Sequence, residues 1–305
     1  MILLKNIELF YEKPILRGIN LQVKRGEILG LVGKSGAGKS SLLKICAGLI
    51  DASAGEVFIA SKKQMPARHL LVPGYPSIAI VNQDFKLDPF HTVAENIKEA
   101  ILHWPIAKRD QRVQKLIQLF GLKEISQTKA HLISGGEQQR VAIARAIADQ
   151  PAYLLLDEPF GHLDANLRQR LSSYLMDLRD TEDTGIVLVS HEGQDVLGLC
   201  DHICILQNGK ISKKYLPETL YYRYSAPEKA RLFGPLNTIK LADGLAHFRP
   251  DEYQQSSKGI ALHFERAVFV GGFYHNYFRT TNQERILLYA FEPLQQLSHI
   301  EIKRK

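Results

Sequence analysis

Apolar and polar positions change rhythm several times along the chain. Residues 2–11, "ILLKNIELFY", alternate loosely. "ILRGINLQVKRGE" and "EILGLVG" follow, and all three runs predict strands. In "LGLVGKSGAGKSSLLKICAGLI" the period shifts: Leu42, Leu43, Ile45, Cys46, Leu49 and Ile50 recur at helical spacing. A glycine-rich loop therefore sits between a strand and a helix. "GYPSIAIVNQ" is a further strand ending in a polar residue. From Thr92 to about Asp149 the pattern is mostly helical, and Thr92 with Glu95 forms a T-x-x-E capping box. "YLLLDEP" and "GIVLVSH" are short continuous apolar runs of the kind buried on both faces of a parallel sheet, and the helical "ANLRQRLSSYLMDLRD" separates them. This alternation predicts an α/β fold with a mainly parallel sheet and a helical subdomain inserted at about 85–150.

From about 217 the texture changes. "LPETLYYRYSAPEKARLFGPLN" is broken by prolines, and "GIALHFERAVFVGGFYHNYFRTTNQERILLYAFEPL" has strand-like runs with turn residues and no helical period. The expected division is an α/β unit at 1–216, a linker at 217–235 and a small all-β domain at 236–305.

With 45% hydrophobic residues, the 305-residue chain has the apolar material for one large core or two smaller ones. It holds no apolar run of about 18 residues, so no single segment is expected to span a membrane. "MILLKNIELFYEK" lacks the basic region and the small-residue cleavage site of a signal peptide and reads as a strand. Cys46, Cys200 and Cys204 cannot all pair, which fits a reducing cytosol. Cys200, His202 and Cys204 offer three candidate metal ligands, but Cys204 lies in the apolar "ICIL", so ordinary buried cysteines are expected. The formal charge of +7 is scattered, which predicts a solvated surface and no nucleic-acid partner.

The candidate chemistry begins with "GKSGAGKS", which fits G-x-x-x-x-G-K-[ST] through Gly33, Gly38, Lys39 and Ser40. Glycines let successive N–H groups curl around phosphate oxygens, and the helix start adds favourable partial charge. Lys39 is expected to reach the β- and γ-phosphates, and the Ser40 hydroxyl to ligate Mg²⁺. Such a site also needs a metal carboxylate and a group that activates water. "YLLLDEPF" supplies Asp157 for the metal and Glu158 as general base. Gln83 and His191 also follow strand-like runs. In an open parallel sheet, ligands collect beyond the carboxyl ends of strands, so these four residues are expected to converge on one edge.

A second glycine pair, in "ISGGEQQR", precedes the helical "VAIARAIA" and has the shape of another anion site. Together these residues resemble the ATP-binding subunit of ABC transporters over about 1–235. "GKSGAGKS" resembles the family's P-loop, "VNQDF" its Q-loop with Gln83, and "ISGGEQQR" its signature. "LLLDEP" resembles the Walker B strand with Glu158, "GHLD" the D-loop with Asp164, and "VSH" the switch histidine, His191. The resemblance implies a P-loop NTPase cassette that uses ATP and Mg²⁺. It implies nucleotide contacts from Tyr11, which matches the adenine-stacking aromatic, from Gly33, Lys34, Ser35, Gly36, Ala37, Gly38, Lys39, Ser40 and Ser41, and from Asp164. It implies metal contacts from Ser40, Gln83 and Asp157, and catalytic roles for Glu158, His191 and Gln83. Tyr11 is otherwise a plain surface or core tyrosine.

In this family two subunits pack head to tail. The resemblance implies that Ser134, Gly135, Gly136 and Glu137 of one copy close over the γ-phosphate held by the other. Ile133 and Glu137 stand where Leu and Gln are usual, and Gly161-His162 where small residues such as Ser-Ala are common. Ser134 to Glu137 is also an S-x-x-E capping box, so Glu137 has an alternative role at the helix start. The helical subdomain is implied to dock integral membrane permease subunits. Phe85, Leu87 and Phe90 are either groove residues on that surface or ordinary packing.

Three activities fit the class: a solute importer, an exporter or lipoprotein-release system, and a soluble ATPase of translation or repair. The gap between P-loop and signature is too short for the coiled coils of repair types, and translation types carry two cassettes. "PETLYYRYSAP" and "FRPDEY" resemble stretches of the importer group that carries a C-terminal oligonucleotide-fold-like domain, which favours uptake of the polyamine or ferric-iron type. The implied setting is a homodimer on the cytoplasmic face of the cell membrane, working with a permease and a solute-binding protein.

Overall fold

A computed structural model describes every residue except Gln83, His162, Ser225, Asp243, Arg304 and Lys305. The chain divides into two compact units, Met1–Pro217 and Glu218–Lys305.

The first unit runs β1 (Ile2–Phe10), β2 (Pro14–Val23), β3 (Ile28–Val32), α1 (Lys39–Cys46), β4 (Ala54–Ile59), β5 (Lys62–Lys63), β6 (Ile78–Val81), α2 (Val93–Glu99), α3 (Ile106–Leu119), α4 (Gly135–Ala148), β7 (Tyr153–Asp157), α5 (Ala165–Glu182), β8 (Gly185–Ser190), α6 (Gln194–Leu197), β9 (His202–Gln207) and β10 (Lys210–Ile211). One sheet has the order β10-β9-β3-β8-β7-β6. Its strands from β9 to β6 are parallel, with Leu31 beside Val189 and Cys204, and Asp157 beside Val189. Every residue of β3, β7 and β8 is buried, as their continuous apolar runs require. The second sheet, β2-β1-β4-β5, is antiparallel. Leu29, Leu31, Leu155 and Val187 of the first sheet share a core with Ile2, Leu4, Leu16 and Ile19 of the second and with Leu42, Leu43 and Ile45 of α1.

α2, α3 and α4 form the helical subdomain. Thr92 caps α2 through both bonds of the capping box. The buried Arg112 of α3 donates to the carbonyls of Ile147 (2.7 Å) and Ala148 (3.2 Å), which satisfies the carbonyl end of α4. Cys46, Cys200 and Cys204 are free and buried. Burial pushes the Cys46 thiol up to about 12 and the Cys204 thiol to about 11. His202 Nδ1 lies 3.0 Å from Glu27 Oε1. Cys200, His202 and Cys204 are therefore engaged in packing and hydrogen bonding. No helix among the described residues is long and apolar enough to cross a membrane.

The second unit follows α7 (Pro217–Tyr222) with α8 (Pro227–Ala230), β11 (Asn237–Leu241), β12 (Gly244–Phe248), β13 (Tyr253–Phe269), β14 (Tyr274–Thr280), β15 (Arg285–Ala290) and β16 (His299–Ile302). β11 and β12 form a hairpin, and the order β15-β14-β13-β16 is antiparallel. Phe248, Leu262, Phe278, Ile286, Leu288 and Ile300 form a core of their own. Arg249 is fully buried. Its guanidinium donates to the carbonyls of Tyr221 (2.8 Å), Ala230, Gly234 and Pro235 (each 3.0 Å), so the proline-broken stretch is tied to the β unit.

Candidate nucleotide site

The glycine loop leaves β3 at Gly33. A Cβ there would stand 2.3 Å from the Leu206 carbonyl oxygen, so only glycine lets the loop cross β9 this closely. Gly38, at φ +96°, caps α1 in the left-handed region. Lys34, Ser35 and Gly36 are exposed between them, while Ala37, Ser40 and Ser41 are half-buried. Lys39 is only 6% exposed. Its Nζ donates to the carbonyls of Gly33 (2.7 Å) and Lys34 (3.1 Å), so the loop wraps its own cation. Burial pushes the Lys39 pKa down, and the charges of Glu158 and Asp157 oppose that shift.

Asp157 ends β7 and is buried. The Ser40 side chain lies close enough to stabilise its charged form, and Asp157 Oδ1 is buried without a partner among the described residues. Burial pushes its carboxyl pKa up; the Ser40 side chain and Lys39 counter this, while Glu158 adds to it. Mg²⁺ takes one or two carboxylates together with phosphate oxygens and water, not an all-protein cage. The Ser40 hydroxyl beside an open Asp157 oxygen fits that ion.

Glu158 follows at φ +52°, a left-handed conformation unusual for a non-glycine residue. Its N–H donates to the Val189 carbonyl (3.0 Å), and its own carbonyl accepts from Gln139 Nε2 (3.0 Å). Its Oε1 lies 3.1 Å from Nδ1 of the half-exposed His191, which follows β8. The parallel order β3-β8-β7 brings Asp157, Glu158 and His191 to one sheet edge, beside Lys39 and Ser40 of the loop and helix that follow β3. Gln83 lies outside the described residues; its neighbour Asn82 is buried just after β6.

The second glycine pair opens α4. Ser134 caps it: Glu137 N–H donates to Ser134 Oγ (3.4 Å), and Ser134 N–H and Oγ each donate to Glu137 Oε2 (2.8 Å). These bonds from Ser134 hold the Glu137 carboxyl below its usual pKa, with Arg140 adding a smaller pull. The Glu137 carboxylate is therefore turned back onto its own helix start. A Cβ on Gly135 would meet nothing within 4 Å, so this copy's own packing does not demand glycine there.

Asp164 caps α5, accepting from Leu167 N–H (2.9 Å). His162 lies outside the described residues. Tyr11, in the turn between β1 and β2, is 68% exposed, which removes the alternative of a core tyrosine. Phe85 is half-buried, and its carbonyl and that of Lys86 accept from Arg145 (2.9 and 2.8 Å). Leu87 is half-buried and Phe90 is exposed.

Some contacts had no sequence signal. Gln139, a polar residue on the buried face of α4, makes one. The exposed Arg168 makes others: it donates to Asp195 (2.7 Å) and to the Phe160 carbonyl (3.3 Å), while Ser190 Oγ donates to Asp195 (2.9 Å).

Comparison with known proteins settles the class. A family model described as ABC transporter matches residues 16–161. The chain is 35% identical over 254 residues to the sulfate/thiosulfate import ATP-binding protein of Mesostigma viride, covering 81% of this chain and 71% of that one. This chain belongs to the ATP-binding subunits of ABC transporters. The spermidine/putrescine import ATP-binding protein of Thermotoga maritima is 32% identical over 275 residues, covering 85% of this ABC subunit and 74% of its relative. The Fe(3+) ions import ATP-binding protein of Haemophilus influenzae is 33% identical, with coverages of 77% and 67%. A solved dimeric bacterial ABC transporter cassette superposes with a TM-score of 0.65 at 29% identity, covering 71% of this chain and 99% of that one. As a member of this family the chain is an ATP hydrolase built on the P-loop NTPase cassette fold.

Proposed function

We propose that two copies of this ABC subunit close head to tail around two ATP molecules, and that the cycle drives solute uptake through a separate permease. The observation that carries the reading is a division of groups on one copy. Lys39, Ser40, Asp157, Glu158 and His191 gather at one sheet edge. Ser134, Gly135 and Gly136 instead head a capped helix whose glycine has open space around its Cβ position. A helix start of that kind, with orphan N–H groups, suits a phosphate brought by the other copy. A solved relative, an ATP-binding cassette described as a dimer in a post-hydrolysis state bound to ADP and Pi, supports this arrangement.

In this reading Tyr11 stacks on adenine, and Gly33 to Ser41 cradle the phosphates. Ser40, Asp157 and Gln83 hold Mg²⁺, which when bound offsets the negative charge of the phosphates. Glu158 takes the proton of the attacking water, and His191, at 3.1 Å, holds that carboxylate toward the phosphate. Glu137 keeps the signature helix capped, and Asp164 places the D-loop at the subunit interface.

Import is favoured by the names of the relatives reported above and by the C-terminal stretches "PETLYYRYSAP" and "FRPDEY". We assign the cassette to 1–216, the connector to 217–235 and the β domain to 236–305, with Phe85, Leu87 and Phe90 beside the permease-docking surface. The assembly sits on the cytoplasmic face of the membrane with a permease and a solute-binding protein. The latter two select the solute, of which polyamine and ferric iron are the favoured types.

The test is Glu158→Gln. ATP binding should persist while hydrolysis falls about 10²–10⁴-fold, the usual worth of a general base. With ATP and Mg²⁺ the variant should shift from monomer to dimer on size exclusion. Unimpaired hydrolysis would remove Glu158 from the mechanism.

A further inference from the structure

Gln139 lies on the signature helix α4 and is 3% exposed. Its Nε2 donates to the main-chain carbonyl of Glu158 at 3.0 Å, which links α4 to the end of the strand that follows it. Its Oε1 is buried and meets no partner among the described residues. A buried amide oxygen left unpaired is costly, and a methionine or leucine would fill the space without that cost. Stability alone is therefore a poor reason for glutamine here. The residue it grips is strained: Glu158 sits at φ +52°, a conformation that persists only where its surroundings enforce it. The Val189 carbonyl holds the Glu158 N–H from the β8 side, and Gln139 holds its carbonyl from the α4 side. The peptide units flanking the Glu158 side chain are thus pinned by two different elements.

We infer that Gln139 is a positioning residue for Glu158, and that it ties each copy's own base to the helix with which that copy greets its partner's phosphate. This rests on the composite-site reading above. The start of α4 faces the partner's nucleotide, whereas Glu158 works on the nucleotide of its own P-loop. A shift of α4 on closing over the partner's γ-phosphate is transmitted through the Gln139 amide to the Glu158 backbone. Each site is then set for hydrolysis only when the opposite site has also closed.

Gln139→Met keeps the volume and removes the donor. In the full chain it should lower kcat about 10- to 10²-fold, the usual cost of a small misplacement, with the KM for ATP little changed. In a Glu158→Gln background, ATP should still drive dimer formation, and Gln139→Met should add no further loss of hydrolysis. Its effect runs through a side chain already disabled, so the cycle should be strongly non-additive. Should Gln139→Met fail to fold, Gln139→Asn keeps the amide but is too short to reach the carbonyl, and carries the same expectation. An unchanged kcat would overturn the inference. So would an equal further loss in the Glu158→Gln background, or loss of ATP-driven dimers, since both mark a general structural role. If Glu158→Gln alone forms no ATP-dependent dimer, the composite-site reading itself fails, and the inference with it.

Discussion

Lys39 shows how one residue serves both loop and ligand. Its ammonium is buried and held by two carbonyls of the loop that it is expected to share with the phosphates. Burial lowers its pKa, and the Asp157 and Glu158 charges work against that. Phosphate oxygens offer a stronger partner than neutral carbonyls, because the attraction is then between two full charges. Lys39→Ala removes that partner. A hydrogen bond to a charged group contributes about 1.5–3 kcal/mol, so nucleotide affinity should fall about 10- to 10²-fold. Titration with a fluorescent ATP analogue measures this, and unchanged affinity would count against the P-loop assignment. Glu158 shows the limit of reading residues singly. Its identity and place after an apolar strand are visible in "YLLLDEPF", but its left-handed backbone and its Gln139 and His191 contacts depend on how separate elements come together in the fold.

At the scale of elements, local signals were legible and long-range pairings were not. The strand-loop-helix around the glycines, the Thr92 box and the Ser134 box all announce themselves within a few residues, because their physics is local. The buried parallel strands β7 and β8 were equally plain, since continuous apolar runs need cover on both faces. β4 and β5 were not anticipated. "AGEVFI" is short, begins with small residues and becomes a strand by pairing with β1, with Ile2 opposite Ile59 and Leu4 opposite Val57. The small helices between 217 and 235 were hidden by their prolines, which break a periodic pattern but suit a first helical turn. Arg249 stands out in sequence through the "FRPDEY" resemblance, but nothing local announces that it is buried and gathers the carbonyls of this stretch.

For the whole molecule, each unit has its own apolar core, so the cassette is expected to fold without the β unit. Removing 218–305 should leave a soluble chain with a cooperative thermal transition and Mg²⁺-dependent nucleotide binding. An insoluble product would show that the β unit is part of the cassette's stability. The central claim is that Ser134-Gly135-Gly136 serves the partner's nucleotide, and a mixed dimer tests it most directly. One copy carries Lys39→Ala and the other Ser134→Arg, whose bulky cation displaces the helix cap and blocks the γ-phosphate position. Glu158→Gln is added to both, so that ATP is trapped and not turned over. If the signature acts across the interface, both defects fall in one site and the other site is intact. If it acts within its own copy, each site carries one defect. Trapped nucleotide is then counted in verified mixed dimers. The account predicts about one ATP per dimer, as two defects confined to one of two sites require. No trapped ATP in those dimers would contradict it.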